Sequence, residues 1–284
     1  MTKNTSPQNN DLPHTQDFVY AGKTQTSILL ETASDKNPYI SQKHYLHGYE
    51  LTDLIKQKSF IDTLILLFTG ELPTLKDSQL LERLMIALIN LGPRHPAVKS
   101  AMVAGVSKTN PEHLLPIGLS VLGGQKNGAL EVSESVNFIY HHVESCPESV
   151  IESILSQTDL TKNEGEIHLA PGFGNQYGGC DEHCLALSQI VFEPYFTQPP
   201  EKNTILQWVK QFSLLLNKQN QGLLKTGLAA AVFCQLGIPA RESIGLFQLI
   251  CAPGIFAQGV EQTHKPITAM PMLTDEQHIY PSKL

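Results

Sequence analysis

Apolar residues recur at helical spacing through most of the chain. In the segment KDSQLLERLMIALINLG (76–92), four leucines fall at i, i+4, i+8 and i+11, namely Leu80, Leu84, Leu88 and Leu91. This spacing places them on one face of an amphipathic helix. The same segment predicts Asp77 or Ser78 as the N-cap and Gly92 as the end of the helix.

The same period predicts further helices after this one and before it. They are SFIDTLILLFTGELP (59–73), ALEVSESVNFIYHHV (129–143), and segments near 182–193, 203–217, 222–236 and 241–262. Alternation typical of strands is confined to KTQTSILLET (23–32) and KPITAM (265–270). We therefore expect an all-α fold.

Charge and composition narrow the class of partner. The 284 residues carry a formal net charge of -7, which gives no basic surface for nucleic acid or anionic membrane. No apolar run approaches the roughly 20 residues of a spanning helix. Five cysteines without regular spacing favour a reducing compartment over a disulfide scaffold. We expect a cytoplasmic protein whose first 17 residues form a disordered leader.

Six motifs in collinear order resemble the citrate synthase superfamily, and most closely its short citryl-CoA lyase branch, which is also the carboxy-terminal module of ATP-citrate lyase. The motifs are HGYELTDLIKQKSFIDTLILLFTGELP (47–73), GPRHPAVKSAM (92–102), GLSVLGGQKNGAL (118–130), PGFGNQYGGCDEH (171–183), TGLAAAVFCQLGIP (226–239) and GLFQLICAPGIFAQGVEQ (245–262). They cover nearly everything after the leader.

The resemblance implies a large helical domain and a smaller inserted one that close over an acyl-CoA. By this analogy the large domain comprises 18–129 plus 241–284, and the small domain comprises 130–240. The family also implies a homodimer, or a heterodimer with an active paralogue. Coenzyme A is the ligand that the resemblance suggests, and no other cofactor is expected. Fold alone does not establish activity.

The positions that match the family's catalytic residues carry other side chains. The resemblance places the family's carboxylate base at Thr226, its enolate-stabilising His at Lys126, and the His that binds the oxo acid at Asn175. A threonine hydroxyl cannot serve as a base near neutral pH, and an amide cannot exchange a proton. Lys126 retains a donor for an oxyanion.

The expected anion contacts are also altered. The family's arginine in the Leu-Phe-x-x-x-Arg stretch falls at Cys251, and the arginine that helps to hold CoA falls at His183. In GPRHPAV, Arg94 and His95 are candidates for the cleft, and either could instead be a solvated residue at a helix entry. Losing two or three charge-assisted contacts, each worth about 1.5–3 kcal/mol, would weaken citrate binding by orders of magnitude.

Three other interpretations of site residues stay open on sequence alone. Cys180, His183 and Cys184 have i, i+3, i+4 spacing, and His168 could add a fourth metal ligand; we nevertheless expect no metal. Cys251 could be a nucleophilic thiol. A replacement base would have to come from another carboxylate, and the candidates are Glu131, Glu134 and Asp181.

Two hypotheses about function follow. The chain is either a protein of citrate synthase or citryl-CoA lyase ancestry acting on an acyl-CoA without the standard citrate synthase activity, or a non-catalytic pseudoenzyme that serves as a regulatory or structural subunit of a dimer. The sequence does not decide whether the protein is an enzyme. The resemblance implies an acyltransferase or lyase, but the family's carboxylate base and citrate-binding residues are replaced here.

Overall fold

A computed structural model describes residues 23–157, 165–196 and 205–278. The predicted leader, residues 1–17, lies outside them. The chain divides into two compact units between Asp53 and Leu54. The predicted division into a large and a small domain, with boundaries at 130 and 240, stays a prediction.

The first unit contains a three-stranded antiparallel sheet in the order β1-β2-β3. Its strands are Leu29–Ser34, Asn37–Leu46 and Tyr49–Glu50. Only the end of the segment predicted as a strand, 23–32, is β-structure, and the long second strand was missed. No residue of β2 is buried, and Tyr39 is 95% exposed. A strand without a buried face leaves no alternation of apolar and polar residues to detect.

Helices dominate the described residues, which confirms the predicted fold class. The helices are α1 Leu51–Gln57, α2 Phe60–Thr69, α3 Leu75–Leu88, α4 Pro96–Val106, α5 Pro111–Leu122, α6 Ala129–His142, α7 Pro147–Gln157, α8 Glu182–Phe196, α9 Ile205–Asn217, α10 Lys225–Gln235 and α11 Ala240–Thr263. Two 3₁₀ turns follow at Ile267–Ala269 and Asp275–Gln277. The strand predicted at 265–270 is therefore wrong.

The start of α3 differs from the predicted cap. Thr74 is the N-cap, and Asp77 lies at the third helical position, where its carboxylate accepts a hydrogen bond from the Thr74 backbone over 2.9 Å. This reciprocal arrangement is a capping box. The predicted candidates, Asp77 and Ser78, thus lie inside the helix rather than before it. The leucine face is confirmed, because Leu80, Leu84 and Leu88 are fully buried and Leu91 is 8% exposed.

Helix α11 is a core helix that packs against α4, α5 and α6. It approaches α4 so closely that a Cβ on Gly105 would lie 2.2 Å from the Gly259 carbonyl oxygen. By length and composition it is also the one helix of the described residues that could cross a membrane, so the expectation that no apolar run approaches that length was wrong. Its large apolar side chains Leu246, Phe247 and Ile250 are buried in the core, as expected for the central helix of a globular unit.

A second small sheet holds the glycine-rich loop. Strands β4 (Glu166–Ala170), β5 (Phe173–Gln176) and β6 (Gly222–Leu223) pair antiparallel in that order. Residues 222–223, predicted as helix, form β6 because they pair with β5. Gly172 turns the chain between β4 and β5 at a φ of +78°, and a Cβ there would lie 2.5 Å from the Gly227 Cα. Glycine at both positions therefore lets the loop contact the start of α10 directly.

Candidate functional site

A cavity of about 390 Å³ opens between the start of α4, the loop before α6 and the start of α8. We call it the α4–α8 cavity. Its lining residues are Leu91, Arg94, His95, Pro96, Asn127, Gln176, Tyr177, Gly179, Cys180, Asp181, His183 and Lys225. Three residues predicted to bind substrate, Arg94, His95 and His183, are therefore in one cavity. Cationic Arg94 and Lys225 favour an anionic ligand.

His95 is held in a fixed, neutral state at the cavity wall. Its Nδ1 accepts a hydrogen bond from the Ala97 backbone N–H over 3.2 Å, which makes it the N-cap of α4. Its Nε2 lies 2.9 Å from the Asn127 carbonyl oxygen, so this nitrogen carries the proton. Burial, aided by the positive charge of Lys225, lowers the pKa of His95 despite that carbonyl. Because both ring nitrogens are engaged, His95 shapes the wall rather than exchanging protons.

Asn127 lines the cavity and forms hydrogen bonds with residues of α6, β4 and β5. Its φ is +56°, a left-handed conformation that asparagine tolerates better than most residues. Its backbone N–H donates to Glu131 over 2.8 Å, and its side-chain amide donates to Glu166 over 2.9 Å. Its side-chain oxygen accepts from Gln176. No sequence pattern singles out Asn127, which was considered only as part of the turn that carries Lys126.

The residue at the position that the resemblance matches to the family's base is buried against a carboxylate. Thr226, at the second position of α10, is 2% exposed, and its Oγ1 donates to Glu131 Oε2 over 3.0 Å. Glu131 is itself 2% exposed. It also accepts from the Gly172 backbone N–H over 3.2 Å and forms an ion pair with His168 Nδ1. Neither Thr226 nor Glu131 is among the residues that line the cavity.

Glu131 and His168 form a charged pair. Burial by itself raises the pKa of Glu131, but the hydrogen bonds and charge of His168, with the backbone donors, outweigh it and lower that pKa. Burial likewise lowers the pKa of His168, but Glu131, followed by Glu166, outweighs it and raises that pKa. The second ring nitrogen of His168 lies 3.5 Å from a Glu166 oxygen. Both shifts favour the ionised carboxylate paired with the protonated imidazole.

The other two predicted catalytic positions lie away from the cavity. Asn175 is 5% exposed within β5, and its amide donates to the Asn220 carbonyl over 3.4 Å. Its neighbour Gln176 lines the cavity instead, because successive residues of a strand face opposite sides. Lys126 is exposed, and its Nζ lies 3.8 Å from Glu166.

Cys251 and the alternative metal ligands are not assembled into a site. Cys251 is fully buried on α11, and burial raises the pKa of its thiol to about 12 despite the nearby positive charge of Lys225, so no reactive thiolate forms near neutral pH. Cys184 is also buried. The described part of the chain contains no group of three or more His, Cys, Asp or Glu side chains arranged to hold a metal ion.

Two features of this region could be found only in three dimensions. Lys225 lines the cavity directly before Thr226, yet on sequence it is one of many lysines. Glu131 was a candidate for a replacement base whose place in the fold the sequence did not indicate. In the structure it hydrogen-bonds Thr226. The contact joins residues 95 positions apart, a separation at which no local pattern indicates pairing.

Comparison with solved structures identifies the fold as that of the citrate synthase superfamily. The chain superposes on the citryl-CoA lyase of Hydrogenobacter thermophilus with a TM-score of 0.69 and 21% sequence identity, over 92% of this chain and 95% of that chain. It also superposes on the ATP citrate lyase of Methanothrix soehngenii in complex with citrate and coenzyme A, with a TM-score of 0.68 and 16% identity. That match covers 98% of this chain and 47% of the other.

A more distant match supports the same fold. The citrate synthase of Thermoplasma acidophilum, solved with carboxymethyl coenzyme A and oxaloacetate, gives a TM-score of 0.59 at 13% identity, over 80% of this chain and 58% of that chain. No protein-family model matches the chain, and no curated protein does either. At these identities the likeness establishes the fold, whereas activity has to be argued from the site.

Proposed function

We propose that this protein binds an acyl-CoA or a carboxylate anion in the α4–α8 cavity and does not make citrate or cleave citryl-CoA. The observation that carries the proposal is the hydrogen bond from Thr226 Oγ1 to Glu131 Oε2 at 3.0 Å. The position that the resemblance assigns to the base carries a hydroxyl. Both oxygens of the adjacent Glu131 carboxylate already have partners, which are Thr226 and Asn127 on one and His168 and Gly172 on the other. A base must reach the proton that it abstracts.

The cavity wall supports ligand binding without chemistry. Arg94 is exposed and Lys225 is half-buried at its surface, so both can contact an anion. Asp181 is the one acidic residue of the lining, set against these two cations and the imidazoles of His95 and His183. The Asp181 carboxylate already accepts a hydrogen bond from the Cys184 backbone N–H over 2.9 Å. A pocket with two cations and neutral amides around this single engaged carboxylate is suited to holding a carboxylate or phosphate group.

Calorimetry with coenzyme A, acetyl-CoA and citrate tests binding in the α4–α8 cavity. We expect at least one of them to bind, and the double variant Arg94→Gln/Lys225→Gln to weaken that binding tenfold or more, since charge-assisted contacts are worth about 1.5–3 kcal/mol. Lys99→Gln is the matched control, because Lys99 lies exposed on α4 outside the cavity lining. No heat with any of the three ligands would contradict binding and favour a purely structural subunit.

A turnover assay separates this proposal from the alternative that the protein is an enzyme. Citrate formation from acetyl-CoA and oxaloacetate, and cleavage of citryl-CoA, should both stay at the level of the buffer. Glu131 is the specific reason to test the alternative, since it lies 3.0 Å from the hydroxyl at the base position. Turnover that disappears in Glu131→Gln would make Glu131 the base and overturn the proposal.

We also propose that the protein works as a dimer, with itself or with an active paralogue, as a regulatory or structural subunit in the cytoplasm. Apolar side chains on α4, α5 and α11 support an interface: Val103, Val121, Leu249 and Phe256 are each at least 41% exposed. Light scattering of the purified chain, alone and with a paralogue, measures the assembly. A monodisperse monomer in both samples would contradict the proposal.

A further inference from the structure

A second cavity, with no lining residue in common with the first, lies between α8 and α9. It has a volume of about 360 Å³ and is lined by Leu185, Ser188, Gln189, Phe192, Glu193, Phe196, Lys210, Ser213, Leu214 and Leu223. We call it the α8–α9 cavity. Its size is in the range of small-molecule sites.

Five of the ten residues that line the α8–α9 cavity are apolar, namely Leu185, Phe192, Phe196, Leu214 and Leu223. Phe192 is 2% exposed and Leu223 is 2% exposed, so both belong to the core and present fixed apolar surface. Leu185 and Leu214 extend that surface along α8 and α9. An apolar pocket of this kind gains affinity from the apolar area of a ligand that it removes from water.

One polar atom in this wall lacks a partner. Ser213 is 2% exposed, and its Oγ has no hydrogen-bond partner in the described structure. A buried hydroxyl without a partner costs free energy that a ligand atom could recover. Ser188, on the opposite helix, differs because its hydroxyl already donates to the Leu185 carbonyl over 2.7 Å. The cavity therefore offers one specific hydrogen-bonding position.

The charges at the rim favour a negatively charged group. Glu193 is paired with Arg83, whose Nη1 lies 2.5 Å from its carboxylate. Lys210 lies on α9 with its ammonium 4.9 Å from the centre of the Phe196 ring. No salt bridge joins Lys210 to an acidic group of the described residues. With Glu193 neutralised by Arg83, the rim has a net positive charge at Lys210.

We propose that the α8–α9 cavity is a binding site for an amphipathic monocarboxylate. The apolar body of the ligand packs between Phe192, Leu214 and Leu223. The carboxylate of the ligand pairs with Lys210 at the rim, and one of its oxygens accepts a hydrogen bond from the Ser213 hydroxyl, three residues further along α9. This site is separate from the α4–α8 cavity and does not depend on the function proposed for it.

Calorimetry with octanoate tests the site, with 1-octanol and succinate as controls that lack the charge and the apolar body respectively. We expect octanoate to bind with the highest affinity, 1-octanol more weakly and succinate not at all. Lys210→Gln should weaken octanoate by about two- to fivefold, the size of an exposed ion pair, and leave 1-octanol unchanged. Leu214→Trp, at a position that is 48% exposed, should block both.

A matched variant shows whether the Leu214→Trp effect is local. Ile89→Trp changes an apolar side chain of equal exposure, 48%, at the end of α3, outside the cavity lining and the proposed dimer interface, and should bind octanoate like the wild type. Circular dichroism confirms that both variants are folded. Absence of octanoate and 1-octanol binding to the wild type, or octanoate affinity unchanged by Leu214→Trp, would overturn the proposal. Equal binding of succinate and octanoate would overturn it as well.

Discussion

The Thr226 hydroxyl donates to the Glu131 carboxylate over 3.0 Å, and both side chains are 2% exposed. This bond ties the start of α10 to the start of α6, beside the turn at Gly172. Carboxylates near helix N-termini are stabilised by the partial positive charge there. The hydrogen bond between Thr226 and Glu131 therefore stabilises the packing of the two helices. Thr226 is also the position at which the resemblance implies a catalytic base.

Replacing Thr226 with valine should destabilise the protein. Valine keeps the shape of threonine but leaves one oxygen of the buried Glu131 carboxylate without a donor, at an expected cost of about 1–3 kcal/mol. Urea unfolding followed by circular dichroism measures the loss. Thr226→Ser, which keeps the hydroxyl, is the control for the hydrogen bond. A valine variant as stable as the wild type would show that the bond contributes nothing to stability.

Glu131 and His168 should depend on each other energetically. Glu131→Gln removes the closer of the two carboxylates that face the partly buried imidazolium of His168 and leaves only Glu166; breaking a buried pair costs about 3–5 kcal/mol. His168→Gln leaves the carboxylate without its cation. The double variant lacks both charges, so neither is left unpaired. Its loss of unfolding free energy should therefore be smaller than the sum of the losses in the two single variants. Additive free energies of unfolding across this double-mutant cycle would refute the charged pair.

Stability should depend on pH through the same two groups. His168 has a pKa raised above its ordinary 6.5, so its contribution is full below pH 6.5 and is lost as the pH rises through the folded-state value. Glu131 has a pKa lowered below 4.5, so its contribution is present above pH 4.5 and is lost as the pH falls through its folded-state value. The contribution of the pair should be largest between these limits.

The variant His168→Gln isolates the alkaline side of this profile. In the wild type, the free energy of unfolding should fall as the pH rises above 6.5, with Glu131 and Glu166 as the carboxylates that face the imidazole. The variant should lose that slope while the remaining titrations persist. Identical slopes in the two proteins would mean that His168 is not protonated in the folded state.

Two glycines of equal backbone conformation should respond differently to alanine. Gly172 has a φ of +78°, and a Cβ there would lie 2.5 Å from both the Gly227 Cα and the Ser135 hydroxyl. Gly178 has a φ of +79° with nothing within 4 Å. Gly178→Ala should therefore cost about 1–2 kcal/mol from backbone strain alone. Gly172→Ala should cost about 1–3 kcal/mol more from overpacking. Thermal unfolding distinguishes them, and equal losses would contradict the close approach.

The helical fold was predictable because the signal is local. The face formed by Leu80, Leu84 and Leu88 has a period that only a helix satisfies, and all three are buried. Strand β2 was not predictable, since none of its residues is buried and its pairing with β1 leaves no periodic trace. The strand pair β4–β5 was missed for a related reason, because glycines at 172 and 174 read as a loop.

The candidate site was predictable in part. Arg94, His95 and His183 were predicted from motifs, and they line one cavity. Asn175 was predicted from the glycine-rich loop, but its side chain faces the interior. Successive residues of β5 face opposite sides, so Gln176 lines the cavity instead. The contact between Glu131 and Thr226 depends on α6 and α10 packing side by side. The two residues are 95 positions apart in the sequence, so no local sequence pattern could predict their contact.

Hydrogen exchange at the methyl group of acetyl-CoA measures the central claim most directly. In deuterated buffer, with malate added because it cannot accept the carbanion, NMR follows loss of the methyl proton signal in the presence of the protein. Thr226 has no carboxylate, Glu131 is engaged outside the cavity lining, and Asp181 in the lining already accepts from the Cys184 backbone N–H. The account therefore predicts exchange no faster than in buffer alone. Exchange that the protein accelerates, and that Glu131→Gln abolishes, would contradict it.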